Sequence, residues 1–234
     1  MKAFLLAAGE GRRLRPMTET VPKCLVPIRG KPLLAIWLDL LERHGVEGVL
    51  INLHYLAARV VEFLESYQTA VRVETVHERR LVGSAGTVLA NRKFVSGEND
   101  FLILYADNLT DVDLGAMTRF HRLHQSLLTL GVSRTDRPRE KGIVVADADG
   151  KVIDFEEKPT NPRSDLANAG IYVASRDIFA ALEQAGHEND VLDFGYHVLP
   201  RVVSRTYAYV MEDFLLDIGT PESYERAQRD WREP

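Results

Sequence analysis

The chain has 234 residues, 29 Lys+Arg against 34 Asp+Glu, a formal net charge of −5 and one cysteine. A chain of this length with 45% hydrophobic and 27% charged residues is ordinary for one globular domain with a full core. The acidic balance disfavours nucleic acid as a partner, since that binding rests on phosphate neutralisation by Lys and Arg; the lone Cys24 excludes an internal disulfide or a cysteine metal site and fits a reducing compartment.

In chain order, the N-terminal stretch Met1–Gly9 reads as a buried parallel strand, better than as a signal peptide, because the apolar run is short and leads straight into Arg12-Arg13-Leu14-Arg15. Residues 9–32 are punctuated by Gly9, Gly11, Gly30, Pro16, Pro22, Pro27 and Pro32, which predicts a long functional loop with no regular element. Then follow a helix over Leu33–His44, a strand over Gly48–Leu53, a helix over Leu56–Tyr67, a strand over Val71–Val76 and a short helix over Ala85–Arg92. Phe101–Ala106 reads as a strand with Asp107 at its end, Leu114–His124 as a helix and Leu127–Ser133 as a strand. This βαβα order predicts an α/β, doubly wound, mixed but mainly parallel sheet of Rossmann-like kind.

From residue 140 the pattern changes. Gly142–Ala146 and Val152–Glu156 flank Asp147-Ala148-Asp149-Gly150, an inserted β-hairpin; Ala169–Ala174 is a strand, helices are expected near 176–185 and 190–200, and Thr206–Val210 is a late strand. Thr220 is placed to cap a last helix that starts at Pro221. Asp111 and Asp113 are read as caps of the helix that follows them, and Trp37 and Tyr105 as core. With no repeat, linker or apolar run of the roughly 18 residues a membrane helix needs, 1–234 is expected to be one domain, without membrane contact and cytoplasmic.

The charge is uneven: residues 1–31 hold seven bases and two acids, leaving a net of −10 on the rest. The basic excess stands beside Gly9 and Gly11, in Leu6-Ala7-Ala8-Gly9-Glu10-Gly11-Arg12-Arg13-Leu14-Arg15-Pro16. Two glycines let backbone N–H groups approach an oxyanion, and guanidiniums follow at once. The segment is neither a dinucleotide fingerprint, for it has no third glycine and Pro16 forbids the immediate helix, nor a Walker A loop, for it has no Gly-Lys-Ser/Thr. Cys24 beside Lys23 has no base at a motif spacing and reads as packing, and the seven His form no metal motif.

Continued through Pro22-Lys23-Cys24-Leu25-Val26-Pro27, this stretch resembles the signature of the sugar-1-phosphate nucleotidylyltransferases, roughly Gly-x-Gly-Thr-Arg-Leu-x-Pro, then Pro-Lys-x-Leu-x-Pro, with Arg12 where Thr or Ser is usual. Further resemblances follow in family order: Gly83-Ser84-Ala85-Gly86-Thr87, Ala106-Asp107-Asn108 (Gly is commoner at 106), Glu157-Lys158-Pro159, Asn168-Ala169-Gly170 and Asp217-Ile218-Gly219-Thr220-Pro221. The resemblance implies a glycosyltransferase-A-like nucleotidyltransferase core with a sugar-binding subregion. Residues 1–135 would be mainly the nucleotide half and 136–234 mainly the sugar-phosphate half.

It also implies transfer of a nucleoside monophosphate from an NTP to a sugar 1-phosphate with release of pyrophosphate, without a covalent enzyme intermediate. Arg13 and Lys23 are the implied catalytic cations. Leu6, Ala8, Gly9, Gly11, Arg12, Arg13, Gly83, Ser84, Ala85 and Gly86 would hold the nucleotide, Asn108, Glu157, Lys158, Asn168 and Gly170 the sugar phosphate, and Asp107 and Asp217 a Mg²⁺ ion. The motifs look most like guanylyltransferases for mannose 1-phosphate or D-glycero-D-manno-heptose 1-phosphate, so GTP is favoured. Thymidylyl or uridylyl transfer to glucose 1-phosphate is the alternative, and a non-catalytic nucleotide-sugar sensor a second. Monomer and homodimer both stay open, as does the sugar.

Overall fold

A computed structural model describes residues 1–188 and 190–233; of the expected span 1–234, Asn189 and Pro234 lie outside the described residues. The elements, in chain order, are β1 (Lys2–Leu6), β2 (Pro27–Ile28), β3 (Lys31–Pro32), α1 (Leu33–Arg43), β4 (Gly48–Leu53), α2 (Ala57–Ser66), β5 (Arg72–His77) and α3 (Ser84–Ala90). Next come β6 (Asp100–Tyr105), β7 (Asn108–Thr110), α4 (Leu114–Leu123), β8 (Leu128–Arg134), β9 (Gly142–Ala146), β10 (Val152–Glu157) and β11 (Leu166–Ser175). The chain ends with α5 (Ile178–Gly186), α6 (Leu199–Val202), β12 (Thr206–Val210), β13 (Leu215–Asp217) and α7 (Pro221–Asp230). Among the described residues no helix is long and apolar enough to cross a membrane.

The chain divides into two compact units that interleave along the sequence: one takes Met1–Leu81, Leu104–Asp113 and the residues from Asp213 onward, the other Val82–Ile103 and Leu114–Glu212. In the first unit β1, β4 and β5 are parallel, with Leu6 opposite Asn52 and Asn52 opposite Val76. All six residues of β4 are buried, as expected of a strand covered on both faces. The apolar stripe of α1, from Leu33 through Trp37 to Leu41, is buried too; full burial stabilises by about 1.5–3 kcal/mol per large side chain. In the second unit β9 and β10 form the expected antiparallel hairpin, β11 runs antiparallel to β8 and β9, and β12 adds parallel to β8. The α/β class with a mixed sheet is therefore as read from the sequence.

Several local expectations need correction. The segment 9–32 is not without regular structure: Arg12–Leu14, Met17–Glu19 and Lys23–Leu25 are single 3₁₀ turns, and β2–β3 is a two-residue-turn hairpin with Arg29 and Gly30 both at positive φ. The helix expected over 190–200 is a π-turn at Phe194–Val198 followed by the four-residue α6. Its start is set by Asp193, whose carboxylate caps it by accepting from the N–H groups of Gly195 and Tyr196. The short antiparallel pair β7–β13 was not foreseen. Asp111 is engaged elsewhere than at a helix start, accepting from the Phe214 N–H at 2.8 Å. Tyr105 is only half-buried, whereas Trp37 is 1% exposed. The last helix is capped as foreseen: Thr220 accepts from the Ser223 N–H, and Ser223 answers the N-cap backbone.

Candidate active site

In the first unit the glycine loop leaves β1 from a pinned base. The Leu6 carbonyl accepts from the Ala106 N–H at 3.0 Å, and the Ala7 N–H donates to Asn52 Oδ1 at 2.8 Å. Asn52, 4% exposed, in turn donates to Glu78 Oε1 at 3.0 Å. Ala8 is buried, whereas a Cβ on Gly9 would meet nothing within 4 Å. Gly11 is different. Its φ is +65°, its carbonyl accepts from Thr18 Oγ1 at 2.8 Å, and a Cβ there would stand 3.1 Å from Lys23 Cβ. Only glycine lets the loop fold this closely onto the base of Lys23.

Four charged residues named from the sequence converge here. Lys23 Nζ donates to Asp107 Oδ2 at 2.6 Å and lies 3.8 Å from Asp217 Oδ1; the lysine side chain is 11% exposed and the two carboxylates about one-third. Asp107 and Asp217 are brought level by backbone: Asn108 pairs with Asp217 across β7–β13, and the Ile218 N–H donates to the Asp107 carbonyl at 2.9 Å. Asn108 itself is buried. A Cβ on Gly219 would stand 2.7 Å from Arg13 Nη2 and 3.0 Å from Asp217 Oδ1, so the Arg13 guanidinium lies over this bare glycine. The Thr220–Ser223 cap fixes it, Ser223 Oγ accepting from the Gly219 N–H at 3.1 Å. Arg13 is exposed; Arg12, also exposed, is held by a two-point contact with Glu10 that lowers the Glu10 carboxyl pKa. Burial pushes the Cys24 thiol up to about 12, which fits packing and not nucleophilic attack.

Among the described residues no group of three or more His, Cys, Asp or Glu side chains is disposed to hold a metal ion. The donor set of Asp107 and Asp217 nonetheless fits Mg²⁺. That ion commonly takes one or two hard carboxylates and completes its shell with water and substrate phosphate, and the space between these carboxylates already accommodates the cationic end of Lys23.

In the second unit Gly83, at φ +87°, lies against the Leu192 backbone, and a Cβ there would stand 2.7 Å from the Leu192 carbonyl carbon. The N–H groups of Ala85 and Gly86 donate to the Leu192 carbonyl at 2.9 and 3.0 Å, and Ser84 Oγ donates to Asp193 Oδ2 at 2.8 Å. Those three polar groups are therefore spent on holding the loop in place. Glu157 ends β10 opposite Gly142; a Cβ on Gly142 or Gly195 would stand 2.5 or 2.8 Å from its Oε2, so the carboxyl is pressed between two glycines. Burial, reinforced by Asp193 and opposed by Lys158 and Lys141, holds the Glu157 carboxyl above the usual carboxylate range. Lys158 is exposed and has positive φ, its N–H donating to the Lys141 carbonyl at 3.0 Å. Asn168 and Gly170 lie on a bulge of β11, where Asn168 donates to the Tyr172 hydroxyl at 2.8 Å and Gly170 adopts φ +68°.

Asn52, Glu78, Asp193 and the packing role of Gly219 were not singled out from the sequence. Gly219 stood inside a quoted motif, but what it makes room for is 206 positions away in Arg13. Asp193, two residues before Gly195, carried the only local signal, that of a turn cap.

The nucleotidyl transferase family model matches residues 2–233. The chain is 32% identical to the UTP–glucose-1-phosphate uridylyltransferase of Synechocystis sp. and 31% identical to the mannose-1-phosphate guanylyltransferase of Mycobacterium tuberculosis, over 98% and 97% of its length. It spans 63% and 64% of those two relatives. The crystal structure of HddC from Yersinia pseudotuberculosis has the same fold, with a TM-score of 0.83, 99% of each chain covered and 24% identity; a second structure of it is complexed with GMP-PN.

Proposed function

The chain belongs to the nucleotidyl transferase family, and on that premise we propose that it transfers a nucleoside monophosphate, from GTP by preference, to a sugar 1-phosphate. The observation that carries this reading is the meeting of Arg13, Lys23, Asp107 and Asp217 in one unit, from segments far apart in sequence. A phosphate oxygen of the sugar 1-phosphate attacks the α-phosphorus of the NTP, the bond from that phosphorus to the α,β-bridging oxygen breaks, and pyrophosphate departs. Two anions must meet, so positioning and charge stabilisation are what the protein has to supply.

Arg13 binds the triphosphate tail and stabilises the departing pyrophosphate, Gly219 leaving room for its guanidinium. Lys23 neutralises charge at the α-phosphate. Because its ammonium is engaged by Asp107 at 2.6 Å, its turn toward the phosphate accompanies a new partner for that carboxylate. Mg²⁺ held by Asp107 and Asp217 would neutralise phosphate charge and polarise the α-phosphoryl oxygen. Within the second unit Glu157 takes the sugar hydroxyls and Lys158 the sugar phosphate, with Asn168 and Gly170 as further contacts; Asn108, in the first unit, is assigned to the sugar phosphate on the motif resemblance alone. We place the reaction in the cytoplasm.

The preference for GTP rests on the motif resemblance and on the mannose-1-phosphate guanylyltransferase relative; the uridylyltransferase relative makes UTP with glucose 1-phosphate the alternative. Pyrophosphate release is measured with Mg²⁺ over a panel of GTP, UTP, dTTP, CTP and ATP against hexose and heptose 1-phosphates. Turnover with GTP and a manno-configured acceptor is expected. Silence across the panel, with nucleotide still bound, turns the reading to a sensor.

A further inference from the structure

Asp193 has no part in that reaction scheme, yet its side chain accepts three hydrogen bonds between the Gly83–Gly86 loop and the seat of Glu157, all within the second unit. Its Oδ1 accepts from the N–H groups of Gly195 at 2.8 Å and Tyr196 at 3.2 Å, and its Oδ2 accepts from Ser84 Oγ at 2.8 Å. Ser84 Oγ accepts in return from the Phe194 N–H at 3.0 Å, and the Asp193 N–H donates to His197 Nδ1 at 2.9 Å. The preceding residue repeats the attachment, its carbonyl taking the N–H groups of Ala85 and Gly86. On the other side, Gly195 is the surface on which Glu157 Oε2 rests, a Cβ there falling 2.8 Å from Oε2 and 3.3 Å from Asp193 Oδ1. One carboxylate therefore secures the loop Gly83–Gly86 and sets the wall behind Glu157.

We propose that Asp193 is a positioning residue that fastens the Gly83–Gly86 loop to the wall behind Glu157, so that the seats for nucleotide and sugar phosphate are held as one piece. The meaning of the two seats rests on the function proposed above; the fastening itself does not. A charge-assisted acceptor serving three donors is worth more than its neutral counterpart and leaves all three unmet when removed. A tether also predicts a particular kinetic pattern, since a group that holds two seats in place without touching the reacting atoms acts on both KM values and little on kcat.

Hydrogen exchange is measured first, on the wild type, Asp193→Ala and Ser84→Ala. The amides of residues 84–86 and 194–196 are expected to gain exchange together by about tenfold in Asp193→Ala, and those of 84–86 to gain less in Ser84→Ala. Unchanged exchange at 84–86 in Asp193→Ala overturns the tether whether or not the protein is an enzyme. Kinetics follow with the donor and acceptor of highest turnover in the panel. In Asp193→Ala both KM values are expected to rise by about tenfold with kcat within about threefold; a rise in one KM alone, or a fall in kcat alone, overturns the coupling.

Asp193→Asn guards against misfolding. It keeps the shape and the Oδ1 acceptor but removes a negative charge that acts on Glu157 against the cations Lys158 and Lys141. The Glu157 carboxyl, followed by ¹³C NMR, is expected to titrate at lower pH in this variant; an unmoved titration separates Asp193 from the wall and overturns the proposal. A wild type that turns over nothing, with the exchange result as expected, counts against the proposed function alone.

Discussion

The two groups of candidate site residues, one in each unit, handle charge in different ways. In the first, cations and carboxylates are paired directly, Lys23 with Asp107 and Asp217, and space is made by glycines that let the pairs approach. In the second, two acids, Glu157 and Asp193, are set side by side, and backbone N–H groups, a serine hydroxyl and close glycine contacts hold them. On the function proposed above, an arriving triphosphate takes over Lys23 from its carboxylates, because it offers anionic oxygens of the same kind. Asp193 is held chiefly by backbone N–H groups, with one serine hydroxyl, and has no such exchange open to it. On that reading the difference separates chemistry from seating: exchangeable ion pairs suit phosphoryl transfer, and a pocket fastened to backbone suits the recognition of hydroxyl patterns.

The contrast breaks most visibly at Lys23. Replacing it by Ala should lower kcat by at least about 10²-fold, because a cation aimed at developing charge is lost; steady-state turnover near the wild-type value would remove Lys23 from the transition state. The matching lesion in the second unit is Gly83→Ala. Its Cβ meets the Leu192 backbone, which cannot swing aside, and the positive φ adds strain, so a loss of about 1–3 kcal/mol in denaturant unfolding is expected.

A subtler test uses pH. The Glu157 carboxyl titrates above its ordinary 4.5 in the folded protein. Between that ordinary value and the raised one the folded state keeps a proton the unfolded state has given up, so stability from this group is full below about 4.5 and is lost as pH rises through the raised value. Glu157→Gln should therefore melt higher than the wild type at pH 8 and no higher at pH 4, while losing sugar-phosphate affinity; parallel melting curves at both pH values would show that burial imposes no cost here. The smallest effect is expected of Thr220→Ala, about 1 kcal/mol from the lost cap, with a modest rise in the KM for nucleotide through Gly219 and Arg13.

How much of this was legible in the sequence follows the length and periodicity of each element. The strands Gly48–Leu53, Gly142–Ala146 and Thr206–Val210 were bounded to the residue, because apolar runs between turn residues announce themselves. The three-residue strands Asn108–Thr110 and Leu215–Asp217 carry no period, and their pairing is decided by a partner more than a hundred positions away. The helix drawn over 190–200 begins only after Asp193, whose carboxylate caps it by accepting from the Gly195 and Tyr196 N–H groups, and its first turn is a π-turn. Charged site residues could be named from motifs, but Asn52, which acts only by holding others, had nothing in its own neighbourhood to mark it, and Asp193 had no more than the signal of a turn cap.

The pairing of Asn108–Thr110 with Leu215–Asp217 bears on how the protein is made. Lys23 and Asp107 emerge from the ribosome well before Asp217, and the segment that carries Asp217 brings the glycine under Arg13 with it. A nascent chain stalled before β13 has the glycine loop and one carboxylate but lacks the second carboxylate and the floor for the arginine. The carboxylate pair and the seat of the Arg13 guanidinium are thus completed together, by one segment that follows the rest of this group in the chain.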